Sequence, residues 1–316
     1  MKIGLVGYGS IARSHVRALS GLDAEIVGVM GRLAEPTEAF AAEHGLPHAT
    51  TDLDELLGLD GLEAALICSP TDSHADQTAR ALRAGKHVLC EIPLATSLAE
   101  TDELIRLADQ ADRRLMVCHT QRYHPGLVEA RRRVATGQLH PYSLVARYGF
   151  LRRENVNWMG RRRSWTDNLI WHHGCHAVDT CLWLLDRPVV DVSPQVARPG
   201  PPLGIPMDLA LLMRTEPDQI VTVAMSYNTH IAVQDFLLIG EETTLQYADG
   251  DLRDRERVLV AKPSDHDPIR DQDLEFLEAV RERREPAVSG RAVRPAMAAL
   301  QQVQDWIDRR QGSKGR

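Results

Sequence analysis

At 316 residues the chain is longer than a usual single domain, and 43% hydrophobic residues is enough to build more than one sizeable core. A formal net charge of -7 argues against a nucleic-acid partner, which asks for a basic balance or stripe, and points to a small-molecule partner. A strand pattern starting at Lys2 leaves no room for a signal peptide, and no apolar run reaches membrane-spanning length, so the expectation is a cytoplasmic protein with no membrane partner.

From Lys2 to about Thr120, short β-branched runs alternate with helical patterns, the arrangement of βαβ units feeding a parallel sheet. Strands are expected at Ile3 to Val6, Glu25 to Met30, Ala64 to Cys68, His87 to Cys90 and Arg114 to Cys118. The helices between them fall at Ile11 to Leu19, Leu33 to His44, His74 to Ala84 and Leu98 to Gln110. Beyond residue 120 a helix is expected at Pro125 to Thr136, a strand near Ser143 to Gly149 and a helix from about Asn168 to Leu185. Strands then follow strands: Asp208 to Arg214, Gln219 to Tyr227, Asp235 to Gly240 and Thr243 to Tyr247. The expected fold is α/β plus α+β: a Rossmann domain with a parallel sheet at 1–120, then an open, mostly antiparallel sheet with helices on one face at 121–316. The five cysteines, Cys68, Cys90, Cys118, Cys175 and Cys181, have no CxxC spacing and read as reduced and mostly structural, Cys175 in its histidine-rich segment being the one with a functional alternative.

The run Gly7-Tyr8-Gly9-Ser10-Ile11-Ala12 is GxGxxA, directly after a strand and directly before a helix. Gly7 permits the tight turn, Gly9 lets backbone approach a pyrophosphate, and Ala12 lets helix and strand pack closely. The helix N-terminus supplies N–H groups and a positive dipole end for phosphates. At the end of the second strand, where a carboxylate would bind a ribose 2'-hydroxyl and repel a 2'-phosphate, the chain reads Met30-Gly31-Arg32. The absent carboxylate and the arginine favour NADP, with NAD still open; the alternative is that Arg32 stacks on adenine and discriminates little.

Together with Cys68-Ser69-Pro70-Thr71-Asp-Ser-His74, Cys90-Glu91-Ile92-Pro-Leu94 and Phe276-Leu-Glu-Ala-Val-Arg-Glu-Arg-Arg-Glu-Pro286, this start resembles the Gfo/Idh/MocA family of oxidoreductases over essentially the whole chain. The resemblance implies a dinucleotide-binding domain followed by a substrate-binding and oligomerisation domain, an active site in the cleft between them, and a dimer or tetramer formed through the open face of the second sheet. It also implies that Ser69, Pro70, Thr71, His74, Glu91 and Ile92 meet the cofactor. Family members usually carry Glu-Lys-Pro and Asp-x-Gly-x-His. Here Ile92 stands at the lysine position, and the second motif reads His172-His173-Gly174-Cys175-His176. Those departures, with Phe150-Leu-Arg152-Arg153-Glu-Asn155 and Arg163-Ser-Trp165-Thr-Asp-Asn168, resemble one branch of the family, the bacterial 4-carboxy-2-hydroxymuconate-6-semialdehyde dehydrogenases. That branch uses NADP to oxidise a cyclic hemiacetal to 2-pyrone-4,6-dicarboxylate.

The residues fit such chemistry. A dicarboxylate calls for planar arginine forks. Arg122 follows the last Rossmann strand, while Arg152, Arg153 and Arg163 flank a loop that reads either as a substrate clamp or as a solvated basic segment; Tyr123, Trp165 and Trp171 are candidates for the pocket wall or for core. Removing a hydroxyl proton while hydride leaves calls for a base, and His176 matches the family's histidine. In an α-helix His172 and His176 share a face while His173 turns away, and Asp179 is placed to orient His176. His172 and His176 at i, i+4 also fit a zinc reading, but no carboxylate completes an HExxH pattern and no metal is expected. Three functions remain open: this dehydrogenase, an NAD(P)-dependent oxidoreductase of another acidic or sugar-like substrate, and a redox-silent NADP-binding sensor.

Overall fold

The computed structural model describes residues 1–156, 162, 168–201 and 203–312. These form two compact units, the first made of Met1–Thr120 with Asp267–Arg294 and the second of Gln121–His266 with the chain from Pro295 onward. In chain order the first stretch contains β1 (Lys2–Val6), α1 (Ser10–Leu19), β2 (Glu25–Met30), α2 (Ala34–His44), β3 (Ala49–Thr50), α3 (Leu53–Leu57), β4 (Ala64–Ile67), α4 (His74–Arg83), β5 (His87–Cys90), α5 (Leu98–Ala111) and β6 (Leu115–Val117). The strands lie in the order β3-β2-β1-β4-β5-β6 and pair in parallel, the Rossmann order. Every residue of the inner strand β4 is buried, as expected of a strand covered on both faces, and every residue of β6 at the sheet edge is buried as well. The short β3 and α3, which sequence periodicity did not mark, fill the edge beyond β2.

The second stretch contains α6 (Pro125–Ala135), β7 (Pro141–Gly149), α7 (Gly174–Leu185), β8 (Val189–Val196), β9 (Asp208–Thr215), β10 (Gln219–Ser226), β11 (Val233–Gly240), β12 (Thr244–Ala248), β13 (Asp251–Arg253) and β14 (Val258–Val260). These strands form one sheet in the order β14-β13-β12-β11-β7-β10-β9-β8, antiparallel except where β7 meets β10. In β9 the side chains alternate strictly between core and solvent, the period-2 signature of a sheet covered on one face. The covering helices are α6 and α7.

The last helices are α8 (Pro268–Arg281) and α9 (Gly290–Gly312). Asp267 caps α8 by accepting from Ile269 N at 3.0 Å, and Pro268 takes the first helical position, where its missing N–H costs nothing. A single division at residue 120 does not describe this part of the chain, because α8 packs on α1 in the first unit. Residue 288 then pairs with the edge strand β6 through Val117 N to Val288 O at 2.9 Å. The physical reason is that α1 and β6 each leave a surface that only a later segment covers. Among the described residues no helix is long and apolar enough to cross a membrane.

Candidate active site

The Gly-rich turn after β1 has the shape its sequence calls for. Gly7 adopts φ +108°, and a Cβ there would lie 2.5 Å from the Cys68 carbonyl oxygen, so both conformation and space demand glycine. Its N–H donates to Met30 O at 2.7 Å, tying the ends of β1 and β2. Above Gly9 the position a Cβ would occupy meets nothing within 4 Å. Gly9 is also the N-cap of α1, which has no side-chain cap and no acid in its first turn. Open space over a helix N-terminus whose dipole is not neutralised is a cradle fitting a pyrophosphate. Ala12 is fully buried against the sheet. The Tyr8 ring lies against Gly31, which has no room for a side chain, and the half-exposed Ser69-Pro70-Thr71 turn follows β4. Arg32 is exposed immediately beyond β2, and no carboxylate stands beside it in the Gly31-Arg32-Leu33 turn.

Beneath this cradle two histidines are buried. Both His74 ring nitrogens face carbonyls, Pro93 O at 2.8 Å and Ser69 O at 2.9 Å, so the ring ties the turn after β4 to the loop after β5. Burial works against its charge, but Cys90 and the two carbonyls outweigh it and push His74 up to about 9. His74, expected to meet the cofactor, thus spends both nitrogens on the protein. His15 lies on the inner face of α1 with no exposure. Its Nδ1 donates to Asp273 Oδ2 at 2.8 Å and its Nε2 to Glu91 Oε1 at 2.9 Å. Burial again favours the neutral ring, and the two carboxylates override it, pushing His15 up to about 10. Sequence reasoning passed over His15 and Asp273. The available signal was an ionisable residue at a buried helical spacing, His15 among Ala12, Ala18 and Leu19, and Asp273 beside Phe276 and Leu277. Ile92 is buried, 5% exposed. Burial pushes the Cys68 and Cys118 thiols well up, which keeps them protonated and inert.

In the second unit the histidine segment is not a continuous α-helix. Leu169–His173 form one π-helical turn, capped by Asn168 Oδ1 accepting from Ile170 N at 2.7 Å, and α7 begins at Gly174. The wider π turn replaces the plain i, i+4 face expected for His172 and His176, and such turns are frequent at functional sites. All three histidines are half-buried. The His173 ring sits 4.6 Å from that of His172 and 5.2 Å from Phe150, and its Nδ1 bonds the Tyr227 hydroxyl. Tyr227, fully buried at the end of β10, carries the Arg152 guanidinium over its ring at 5.2 Å. Tyr227 is a third residue the sequence did not flag, since a tyrosine ending a strand reads as core.

The chain matches the family model described as "Oxidoreductase family, NAD-binding Rossmann fold" over residues 1–119 and that of "Bacterial oxidoreductases, C-terminal" over 125–260. It is 33% identical over 303 residues to the 4-carboxy-2-hydroxymuconate-6-semialdehyde dehydrogenase of Sphingobium sp. strain SYK-6, covering 90% of this chain and 92% of that one. The chain belongs to the Gfo/Idh/MocA oxidoreductase family. It is therefore an NAD(P)-dependent dehydrogenase acting on the alcohol groups of small molecules. The fold is shared with UDP-N-acetylglucosamine 3-dehydrogenase GnnA from Acidithiobacillus ferrooxidans (TM-score 0.84, 23% identity, 96% of each chain). It is also shared with the WlbA dehydrogenase from Bordetella pertussis, solved with NADH and UDP-GlcNAcA (TM-score 0.80, 21% identity, 95% of this chain and 94% of that one).

The expected arginines of this dehydrogenase have different fates. Arg122 is buried and forks onto Asp179, Nε to Oδ2 at 2.8 Å and Nη2 to Oδ1 at 2.5 Å, and lies over the Trp183 ring. Asp179, expected to orient His176, also accepts this fork from Arg122. Arg153 is exposed, yet its Nη1 reaches Arg152 O at 3.1 Å, Tyr227 O at 3.3 Å and Asn228 Oδ1 at 2.9 Å. Arg152 is buried and also donates to Asn155 Oδ1 at 3.0 Å. Tyr123 is half-buried in the turn Thr120–Tyr123. Trp171 is core, its Nε1 donating to Gln304 Oε1 at 3.1 Å, while Arg163 and Trp165 lie outside the described residues.

Two expectations follow. Truncating one partner of a buried ion pair strands the other charge, so Arg122→Met should cost about 3–5 kcal/mol in urea unfolding, and adding Asp179→Leu should restore part of it. A double variant no more stable than the single would rule this account out. For His15, a folded value of about 10 against an ordinary 6.5 means its contribution is complete below pH 6.5 and is lost as pH rises through about 10. The wild-type urea midpoint should therefore fall more between those pH values than that of His15→Gln, and parallel declines would remove His15 as the cause.

Proposed function

We propose that this dehydrogenase uses NADP to oxidise the cyclic hemiacetal of 4-carboxy-2-hydroxymuconate-6-semialdehyde, or a near analogue bearing carboxylates, to the corresponding lactone, 2-pyrone-4,6-dicarboxylate. The observation that carries the reading is the His172-His173-Gly174-Cys175-His176 segment at the π-to-α junction, with His173 linked through Tyr227 to a buried Arg152. Bound dinucleotide would supply the hydride acceptor at the hemiacetal carbon. His176 takes the hydroxyl proton as the C–H bond breaks and the carbonyl forms, with His172 beside the base. His173 holds position through Tyr227. Arg152, Arg153 and Arg163 supply cations for the substrate carboxylates, and burial against Tyr227 makes Arg152 the strongest candidate for a fixed one.

The lysine replaced by Ile92 is dispensable in this scheme, because a hemiacetal hydroxyl gives up its proton more readily than a plain secondary alcohol. Arg32 gives the preference for NADP, being a cation in the turn that follows β2. The test is NADP reduction at 340 nm with the semialdehyde, beside NAD and a panel of sugars, inositols and hydroxy acids. The expected result is turnover with NADP, reduced at least about a hundredfold in His176→Ala, the usual scale for loss of a general base. Turnover of a panel compound instead sinks the substrate assignment. Dinucleotide binding without any turnover would identify a redox-silent sensor.

We further propose that two copies associate through the outer face of the second sheet. That face exposes Leu212 and Ile220, with Val190 on the edge strand, and beside them runs an apolar groove of about 600 Å³ lined by Ala210, Ala224 and Val233. An apolar sheet face is costly in water and is commonly covered by a symmetric copy. Light scattering should report a dimer or larger assembly for the wild type and a smaller species for Leu212→Glu; a monomeric wild type would refute the arrangement.

A further inference from the structure

Gly31, the first residue beyond β2, is buried, and its φ lies outside the left-handed region, so conformation alone would admit any residue there. Space would not. A Cβ at position 31 would overlap Cδ1 and Cε1 of the Tyr8 ring on one side and Thr37 Oγ1 on the other. Backbone bonds hold the position where it is: Gly31 N donates to Thr50 O at 3.0 Å, and the preceding Met30 O accepts from Gly7 N at 2.7 Å. Thr37 is 1% exposed and its Oγ1 donates to Leu33 O at 2.6 Å, so that wall is fixed. The other wall, Tyr8, is half-buried and belongs to the glycine turn itself. All of these residues lie in the first unit.

In dinucleotide folds the end of this strand is where a carboxylate accepts from the adenosine ribose 2'-hydroxyl, and the same carboxylate repels a 2'-phosphate. Two positions leave β2 here. Arg32 fills one with a cation, and the other, Gly31, is closed to every side chain while the Tyr8 ring and Thr37 Oγ1 stand where they do. An uncharged aromatic ring therefore occupies the space in which an anionic side chain would begin. We propose that Tyr8 is a specificity-determining residue for the dinucleotide: seated on Gly31, its ring keeps out the carboxylate that would select an unphosphorylated ribose. A neutral wall is left in its place, and a 2'-phosphate meets no repulsion from it. Tyr8 and position 31 act as a pair, and a single substitution does not convert the site to the NAD type. The inference rests on the NADP preference proposed above and adds the residue that enforces it; it is independent of the substrate.

The experiment measures dissociation constants of the full chain for NADP+ and NAD+ by calorimetry without substrate. Gly31→Asp alone should weaken both dinucleotides by similar factors, because carboxylate and ring compete for one space. The double variant Tyr8→Ala with Gly31→Asp gives the carboxylate that space. It should move the preference toward NAD+ on the order of a hundredfold, about tenfold for each charged interaction gained or lost. Tyr8→Phe keeps the ring and should hold the wild-type ratio within about twofold. The proposal is overturned if Gly31→Asp moves the ratio as far with Tyr8 present as without it, or if the double variant leaves the ratio unmoved. Should Gly31→Asp fail to fold, Gly31→Ala adds the Cβ alone: it should lower the urea midpoint, and by less in a Tyr8→Ala background. An equal loss in both backgrounds removes the clash and the proposal with it. A wild type that binds NAD+ as tightly as NADP+ refutes the NADP preference instead, and the comparison of Gly31→Asp with and without Tyr8 still decides the role of the ring.

Discussion

A histidine with no exposure is tolerable only if each ring nitrogen finds a partner, and that constraint organises the first unit. His15 meets it with Glu91 on one side and Asp273 on the other. Satisfying Nδ1 requires α8 to return to α1 from the far end of the sequence, which is why Asp267–Arg294 belongs with the Rossmann strands. Satisfying Nε2 fixes the residue leaving β5. A buried polar line of this kind specifies an arrangement more than it stabilises one, because each charge loses hydration that its partners only partly replace. His74 repeats the logic nearby, spending both nitrogens on the loops after β4 and β5. The two rings together fix the floor of the cradle that Gly7 and Gly9 leave open.

The second unit solves a similar problem with arginine. Arg122 and Asp179 neutralise one another in a planar fork between the turn after β6 and the middle of α7, and Gln121 accepts from Thr180 Oγ1 at 2.5 Å one residue along each element. With α7 held in this way, the π turn before it sets the direction of the histidines. Asn168 caps that turn, and Trp171 anchors it to α9. The first unit thus carries the glycine turn that fits a dinucleotide, and the second holds the histidine segment and a guanidinium stacked on Tyr227.

The exchange of a family lysine for Ile92 is coherent with these arrangements. Here that position is apolar and buried, and its N–H donates to Glu91 Oε2 at 3.2 Å.

The Rossmann half was legible because its signals are local: GxGxxA needs only a strand before it and a helix after it, and strands β1, β2, β4 and β5 fall within a residue or so of their apolar runs. The alternation in β9 and β10 likewise announced a sheet covered on one face. The histidine segment was visible as composition, but its geometry was not, since an α period and a π turn share one sequence and the choice between them depends on contacts such as those of Asn168 and Trp171. Arg122 could be read as a ligand cation because its partner, Asp179, lies 57 positions away. For the same reason His15 and Asp273, 258 positions apart, gave no sign of each other. The sequence by itself determined the class of fold and an NAD(P)-type cofactor, both set by short-range spacing. Which charges pair, and therefore which remain to meet a ligand, was decided only by tertiary structure, because an ionic partner is chosen by distance in space.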